Sequence, residues 1–237
     1  MSSINWFDAG ILLFFSSLAR EVELFDRSLV LFSRLDIFKG GVYITLLWWL
    51  WFRPPGTQLN TRQTIIATIA GAVLALALAR TVAAITPLRL RPMHLHPSVL
   101  HFVTPTGMYH KLLKGWGSFP SDHAALFFAL ALGVFLVYRK AGVFALAYAA
   151  LGISLPRIYI GLHYPTDILA GALLGLGCVW LLNRPKLQAA ISAYPMRLLE
   201  SRPGIFYAVF FFVSYQITTL FNDLRTIGDF AGKYLFP

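Results

Sequence analysis

The chain alternates long apolar runs with short polar stretches. A hydrocarbon core about 30 Å thick takes roughly 20 helical residues, so each long run is a candidate transmembrane helix. The runs cover approximately residues 37–52, 64–86, 121–138, 142–160, 166–182 and 205–221. The pattern predicts an all-α fold, a polytopic helical membrane protein with about six transmembrane helices.

The N-terminal part follows a different pattern. Residues 20–36 alternate charged and apolar side chains at helical spacing, which is typical of a helix lying on a membrane surface. The apolar stretch before it, within residues 4–19, is short for a span and fits an interfacial helix or one extra span. We therefore expect an N-terminal interfacial segment (1–36), one helical membrane domain (37–222) and a C-terminal tail (223–237).

The composition agrees with a membrane protein. Hydrophobic residues make up 57% of the chain and charged residues 13%, which is too little polar side chain to cover a soluble globule. The net charge of +10 does not indicate a nucleic-acid partner, because the basic residues punctuate the spans and form no single polar, aromatic-interleaved surface. Many lie in alternate connections, which the positive-inside rule places in the cytoplasm. The loop 87–120 and the turn 161–165 are then outside.

Acidic residues are rare in the membrane domain. Between residues 37 and 199 there are fourteen Lys or Arg and only two carboxylates, Asp122 and Asp167. Both lie at the outer ends of predicted spans. A carboxylate there can complement a helix dipole, but an ionisable group at the edge of a span is also a candidate functional residue.

The outer loop 87–120 contains several prolines and histidines. His94, His96 and His101 could be read as zinc ligands, but no Cys or carboxylate completes a set and no helix fixes their spacing. We expect no metal and no cofactor, and we interpret these histidines as interfacial or substrate-contacting. The single cysteine, Cys178, lies within an apolar span and offers neither a disulfide framework nor a CxxC motif.

Three groups of residues carry candidate chemistry at the outer face. The first is a set of arginines at the outer end of the second run: Arg80, Arg89 and Arg91. The second is Pro120-Ser121-Asp122-His123, where proline opens a helix whose first backbone N–H groups form a ready anion site. The third is the turn that contains Arg157, His163 and Asp167.

In the third group, a carboxylate near the imidazole Nδ1–H fixes the tautomer and leaves Nε2 free to attack or to take a proton. The predicted topology brings all three groups to one side of the membrane. Fixed positive groups, two imidazoles and an orienting acid suit phosphoryl transfer, in which positioning and charge stabilisation carry most of the rate.

These motifs resemble the type 2 phosphatidic acid phosphatase family, which shares its phosphate site with vanadium haloperoxidases. The family pattern is Lys, six residues, Arg-Pro; then Pro-Ser-Gly-His; then Ser-Arg, five residues, His, three residues, Asp. The resemblance covers a catalytic core of roughly residues 64–182. It implies that His163 attacks phosphorus and becomes a phosphohistidine, that Asp167 orients it, and that His123 is the general acid and base. Arg91, Arg157 and Ser121 would hold the phosphoryl oxygens.

Three positions depart from that pattern. Ala84 stands where the family has Lys, so Arg80 or Arg89 would supply the charge; Pro156 replaces a Ser, with Ser154 nearby; and Asp122 replaces a Gly. The Pro-Ser-Asp-His form resembles that of bacterial undecaprenyl-diphosphate phosphatases. We expect Asp122 to pair with Arg89 or Arg91, or to meet the second phosphate of a diphosphate through a shared proton.

The resemblance implies a lipid phosphatase that converts undecaprenyl diphosphate to undecaprenyl phosphate. Its site would face the periplasm or exterior from a bacterial inner membrane. Phosphatidic acid, phosphatidylglycerophosphate and lipid A are alternative substrates. A small transporter or channel and an inactive lipid-binding homologue are alternatives of other classes.

Overall fold

The computed structural model describes residues 4–53, 58–108, 116–223 and 226–227. Within these residues all regular secondary structure is helical. The N-terminal tip, residues 54–57, residues 109–115 with His110, and nearly all of the predicted C-terminal tail lie outside the described residues. The α-helices are α1 (Trp6–Leu18), α2 (Glu23–Arg34), α3 (Gly40–Trp51), α4 (Gln58–Ile85), α5 (Asp122–Val137), α6 (Arg139–Ala147), α7 (Leu155–Tyr159), α8 (Pro165–Leu182), α9 (Pro185–Ser201) and α10 (Pro203–Thr218). A π-helical stretch, Tyr148–Ser154, joins α6 to α7, and 3₁₀ turns occupy Asp36–Phe38 and Pro92–His94.

Within the described residues, three helical segments are long and apolar enough to cross a membrane. They are α4 with 28 residues, the continuous stretch Arg139–Tyr159 with 21 and α8 with 18. The apolar helices α3, α5 and α10 coincide with the remaining predicted runs but are shorter, at 12, 16 and 16 residues. The predicted class, a polytopic helical membrane protein, is confirmed.

Helix α5 forms the centre of the bundle and packs against α3, α4, α6 and α8. Glycines on α8 allow a very close approach: a Cβ atom at Gly171 would lie 2.3 Å from the carbonyl oxygen of Ser121, and one at Gly175 would lie 2.1 Å from that of Ala125. Small residues at helix interfaces let membrane helices pack backbone to backbone. This contact sets the start of α5 against the start of α8.

We call the end of the bundle where α5 and α8 begin, and where α4 and α7 end, the site end. Helix α1 lies across it. Near its start, Asp8 accepts hydrogen bonds from Thr166 at the start of α8, and at its end the carbonyl oxygen of Leu18 accepts one from the Tyr159 hydroxyl, 3.4 Å away. Since both partners belong to the same end of the bundle, α1 does not run through the bundle.

One helix departs from the sequence pattern. Residues 184–202 lie between the predicted runs 166–182 and 205–221, where the sequence indicates only a basic connection, whereas Pro185–Ser201 forms α9, which packs against α4 and α10. Some of its apolar positions, including Ile191 and Leu198, contact the core, whereas Leu187 and Tyr194 are exposed. Amphipathic spacing of this kind is weaker than a continuous apolar run as a signal.

Candidate active site

A cavity of about 600 Å³ opens at the site end and brings together most of the predicted site residues. Arg80 enters from α4, His123 and Asp122 from α5, Arg157 from α7, and Arg91 and His163 from the connecting loops. Its apolar wall includes Ala79, Ala83, Ala84, Leu88, Trp116 and Leu220. The three sequence motifs therefore meet around one volume.

His163 is 3% exposed and has a defined tautomer. Its Nδ1 lies 2.9 Å from the carbonyl oxygen of Ser118. A carbonyl can only accept, so Nδ1 carries the proton and Nε2 keeps its lone pair. That Nε2 lies 3.4 Å from Nη1 of Arg91, on the cavity side. The geometry leaves Nε2 able to act as a nucleophile.

The electrostatics around His163 favour the neutral ring. Burial lowers its pKa below the ordinary value; the positive charges of Arg91 and Arg157 act in the same direction, and the Asp167 carboxylate opposes them. Asp167 Oδ2 is 3.7 Å from Nδ1, too far for a hydrogen bond, so this carboxylate acts on the ring as a nearby charge.

Asp167 is fully buried and held from two sides. Its Oδ2 accepts a hydrogen bond from the backbone N–H of Tyr164 at 2.9 Å, and its Oδ1 lies 2.5 Å from Nη1 of Arg89. Pro165 opens α8, so Asp167 lies in its first turn, where a carboxylate complements the helix dipole. The carboxylate is rigid behind the imidazole.

Arg91 and Arg157 form a buried pair of positive charges beside His163. Arg91 donates from Nη1 to the carbonyl of Leu162 at 2.7 Å and from Nη2 to that of Gly117 at 3.1 Å. Burial lowers the pKa of Arg91, with Asp122 and Asp167 opposing, yet an arginine stays charged at neutral pH. Within the described chain, the buried Nε atoms of both arginines have no hydrogen-bond partner. Buried cationic donors of this kind match the oxygens of a phosphoryl group.

His123 and Asp122 form a second imidazole–carboxylate pair. Nδ1 of His123 lies 2.7 Å from Oδ1 of Asp122, and that oxygen also accepts from the backbone N–H of His123 at 2.8 Å. A carboxylate only accepts when ionised, so Nδ1 carries a proton and Nε2 is the atom left for a ligand. This contact fixes the ring at the rim of the cavity.

The expected pairing of Asp122 with Arg89 or Arg91 is wrong. Besides His123, its cationic neighbour is Arg80, whose Nη2 is 3.9 Å from Oδ2 and also donates to the carbonyl of Leu220 at 2.8 Å. The side chain of Arg80 reaches Asp122 because α4 packs along α5, whereas Arg89 already contacts two other carboxylates.

Two predicted phosphate ligands lie outside the cavity lining. The Ser121 hydroxyl accepts from the backbone N–H of Ala124 as the N-cap of α5, and its own N–H donates to the carbonyl of Asp167 at 3.0 Å. Arg89 instead joins Asp167 to Asp8. Of the two candidates for the missing Lys, the structure places Arg80 in the cavity.

Other residues of interest take structural positions or were not predicted. Ser154 is buried, its hydroxyl lacks a hydrogen-bond partner within the described residues, and it is not among the residues that line the cavity. Sequence reasoning missed the Ser118 carbonyl, because a backbone oxygen leaves no residue-type signal. It also missed Asp8, whose only signal is an acid beside an apolar helix.

Across the described ranges, no three or more His, Cys, Asp or Glu side chains are grouped so that they could hold a metal ion. In the outer loop, Nδ1 of His96 lies 2.8 Å from the Ser98 hydroxyl.

The profile of the PAP2 superfamily matches residues 66–187. The match covers more than half of the chain and includes all three motifs. The chain belongs to the PAP2 superfamily, and the resemblance predicted from the motifs is confirmed.

Three bacterial proteins are similar to the chain. "Putative undecaprenyl-diphosphatase YbjG" of Escherichia coli (strain K12) is 29% identical over 153 residues, 64% of this chain and 70% of that protein. "Bacitracin transport permease protein BcrC" of Bacillus licheniformis is 53% identical over 60 residues, 25% of this chain and 29% of BcrC. "Lipid A 4'-phosphatase" of Bacteroides thetaiotaomicron is 44% identical over 69 residues, 28% of this chain and 30% of that protein.

The chain therefore spans less than a third of the length of two of these relatives. No solved structure matches it. The family and the two phosphatase names support the predicted class, a phosphatase of the membrane.

Proposed function

We propose that the chain is a membrane lipid phosphatase that works through a phosphohistidine on His163. One observation carries the proposal: one cavity is lined by the His163 imidazole, whose proton lies on Nδ1, by two buried arginines and by a second imidazole. Phosphoryl transfer depends on this combination of a positioned nucleophile and fixed positive charge.

In the first step, the Nε2 lone pair of His163 attacks phosphorus, and the bond from phosphorus to the leaving oxygen breaks. That oxygen takes the Nε2 proton of the His123 imidazolium, whose Nδ1–H donates to the Asp122 carboxylate. In the second step, neutral His123 takes a proton from water as the water oxygen attacks phosphorus. The bond between phosphorus and nitrogen breaks, and its electron pair returns to His163.

The substrate that we propose is undecaprenyl diphosphate, with undecaprenyl phosphate as the product. Arg80 lines the cavity and lies beside Asp122, the partner of His123, and we assign it to the phosphate that the lipid keeps. The apolar wall around Ala83 and Leu220 would receive the start of the lipid chain. The Pro-Ser-Asp-His motif and the name of the relative YbjG favour the same substrate.

We further propose that the protein lies in a bacterial inner membrane with the site end facing the periplasm or exterior. The positive-inside distribution supports this orientation, because basic residues such as Arg139, Lys140 and Arg184 lie at the end of the bundle opposite the site end.

The test is phosphate release by the purified chain in detergent with EDTA. Undecaprenyl diphosphate, phosphatidic acid, phosphatidylglycerophosphate and lipid A are compared at matched concentration, and His163→Ala is the control. We expect release in EDTA, fastest with the diphosphate. A strict requirement for a divalent metal would overturn the mechanism. Fastest release from lipid A would favour the function named for the Bacteroides relative.

One relative is named a transport permease. A transporter would distribute its charged groups through the depth of the bilayer. Here the arginines of the cavity gather at one end of the bundle, which favours the enzyme. Trapping of a phosphorylated histidine would separate an enzyme from both a transporter and an inactive lipid-binding homologue.

A further inference from the structure

Arg89 lies between two buried carboxylates that belong to opposite parts of the chain. Its Nη2 is 2.7 Å from Oδ2 of Asp8 in α1, and its Nη1 is 2.5 Å from Oδ1 of Asp167 in α8. Both acids are 0% exposed. A guanidinium has a rigid fork of donors, so one arginine that contacts two buried acids fixes their separation and direction.

Asp8 is held by further contacts that tie α1 to the start of α8. Its Oδ1 accepts from the backbone N–H of Thr166 at 3.0 Å, and its Oδ2 accepts from the Thr166 hydroxyl at 2.7 Å. The side-chain amide of Asn5 donates to Oδ2 at 2.9 Å. The N–H of Thr166 belongs to the first turn of α8, so Asp8 caps α8 from another helix.

Asp167 stands between this cluster and the proposed nucleophile. One of its oxygens contacts Arg89, and the other faces Nδ1 of His163 at 3.7 Å. The ring of Tyr164 lies 3.8 Å from the guanidinium carbon of Arg89 and restricts its movement. A change in the charge or position of Arg89 is therefore passed through one rigid carboxylate to the imidazole.

We propose that Asp8 is a positioning residue: through Arg89 it fixes the Asp167 carboxylate and offsets the charge of the arginine, which makes α1 part of the catalytic unit. The inference rests on the proposed function, because that function gives Asp167 and His163 their roles. Arg89, which the family resemblance suggested as a phosphate ligand, then acts through Asp167.

Other charged groups also face His163. They are Arg91 from the outer loop, Arg157 from α7 and Asp122 from α5, together with Asp167 from α8. A substitution at Asp8 removes none of these four side chains. A change in the ionisation of His163 in such a variant would therefore come from the cluster around Arg89.

The first test is Asp8→Asn, which removes a charge and keeps the size of the side chain. We expect kcat to fall about tenfold and KM to stay within about twofold, as for loss of an outer-shell partner that orients a reacting group. The uncompensated charge of Arg89 also disfavours the imidazolium, so the acid limb of the pH profile moves to lower pH. Asp8→Glu should recover part of the rate.

Arg89→Gln should shift the acid limb of the pH profile in the opposite direction from Asp8→Asn. Loss of the positive charge favours the imidazolium, so the acid limb moves to higher pH. The double variant Asp8→Asn/Arg89→Gln loses one charge of each sign, and its limb should return towards that of the unmodified protein. A purely structural role for Asp8 predicts no such reversal.

A second measurement does not depend on turnover. The pH dependence of His163 acylation by diethyl pyrocarbonate, followed by mass spectrometry of its peptide, reports the neutral imidazole directly. The matched control is Asp26→Asn, a second buried N-terminal acid, which accepts from the backbone N–H groups of Arg20 and Thr106 and from the Tyr159 hydroxyl. It should lower stability without moving the acylation midpoint.

Equal midpoints in Asp8→Asn, Asp26→Asn and the unmodified protein would overturn the inference. If the midpoints move as expected while the unmodified protein releases no phosphate from any lipid, the proposed function fails and the link from Asp8 to His163 stands. If phosphate is released and the midpoints stay equal, only the positioning role fails.

Discussion

The two imidazole–carboxylate pairs of the cavity are built differently. His163 is nearly inaccessible, its Nδ1 proton goes to a backbone carbonyl at 2.9 Å, and its carboxylate lies 3.7 Å away. His123 has 16% of its side chain exposed and contacts its carboxylate directly at 2.7 Å. The carboxylate of His163 comes from the next helix, whereas Asp122 is the residue before His123.

The difference matches two chemical tasks. A nucleophile must be neutral and fixed, so a carbonyl that sets the tautomer and a carboxylate held at a distance suit His163. A group that gives a proton and later takes one needs contact with water and with a counter-charge, which His123 has. Substitutions in the two pairs should therefore have different effects on turnover.

His163→Ala has the largest expected effect. Loss of the attacking nitrogen should lower kcat by about 10⁴-fold or more and abolish histidine phosphorylation, as seen by quench with radiolabelled substrate. His96 is exposed in the outer loop and is not among the residues that line the cavity, so His96→Ala is the matched control and should keep normal turnover. Normal phosphorylation of the His163→Ala protein would reject the nucleophile assignment.

His123→Ala should lower kcat by about 10² to 10⁴ with a lipid substrate, because the leaving oxygen loses its acid. With an aryl phosphate, which needs no acid, the first step should survive and the second should slow. Rapid-quench kinetics should then show a burst of phenol and a long-lived phosphohistidine. If the aryl phosphate is slowed as much as the lipid and shows no burst, His123 does not have separate roles in the two steps.

Asp122→Asn should lower turnover by about 10- to 100-fold, since the His123 ring loses its charged partner. Monophosphate and diphosphate lipids should be slowed in the same proportion. We expect Arg80→Gln to behave differently and to reduce kcat/KM for the diphosphate about tenfold more than for the monophosphate, through loss of a charge-assisted contact. If Asp122→Asn instead changes the ratio and Arg80→Gln does not, the second phosphate meets Asp122.

The pH dependence of kcat/KM tests the protonation state of His163, and the expected effect is smaller than those of the substitutions above. Burial lowers the pKa of His163 below the ordinary 6.5, so the neutral nucleophile persists below that pH. The acid limb of kcat/KM should lie below pH 6.5. The same pKa shift means that keeping His163 neutral contributes to the free energy of unfolding. This contribution is fully present above pH 6.5 and is lost as the pH falls towards the pKa of His163 in the folded state. An acid limb above 6.5, measured in one detergent at constant ionic strength, would contradict a buried neutral His163.

Gly171→Ala should have the smallest effect on turnover. The new Cβ would lie 2.3 Å from the Ser121 carbonyl and would push apart the helix starts that carry the two pairs. Overpacking of this kind costs about 1 to 3 kcal/mol. Gly177→Ala on the same helix is the matched control, because among the described residues no atom beyond its chain neighbours and the adjacent backbone of its own helix lies within 4 Å of the Cβ position. Thermal unfolding in detergent should show a lower midpoint for Gly171→Ala than for Gly177→Ala.

Much of the fold could be predicted from the sequence because apolar runs report burial in lipid directly. The runs at 64–86 and 166–182 correspond to α4 (Gln58–Ile85) and α8 (Pro165–Leu182), and only the start of α4 differs by more than one residue. Helix α9 was not predicted, because its apolar positions are spread among polar ones. A periodic pattern on one face carries less signal than a continuous run.

The residues of the candidate site were predictable where a motif sets their spacing along the chain and the topology places them on one side of the membrane. His163, His123 and Arg157 do line one cavity. The partners of each carboxylate were not predictable, because they depend on packing between distant segments. Asp122 pairs with Arg80 across a helix interface, and Arg89 turns away to Asp8.

The contact between Asp8 and Thr166 joins residues that are 158 positions apart. Asp8 is synthesised before Thr166, so α1 reaches its final place only after α8 has been made and inserted. Until then, Arg89 lacks both of its carboxylate partners in their native positions. Fusion of a large domain directly before Asn5 would hinder the docking of α1 at the site end. Attachment of the same domain near Arg184, at the start of α9, would not affect this step.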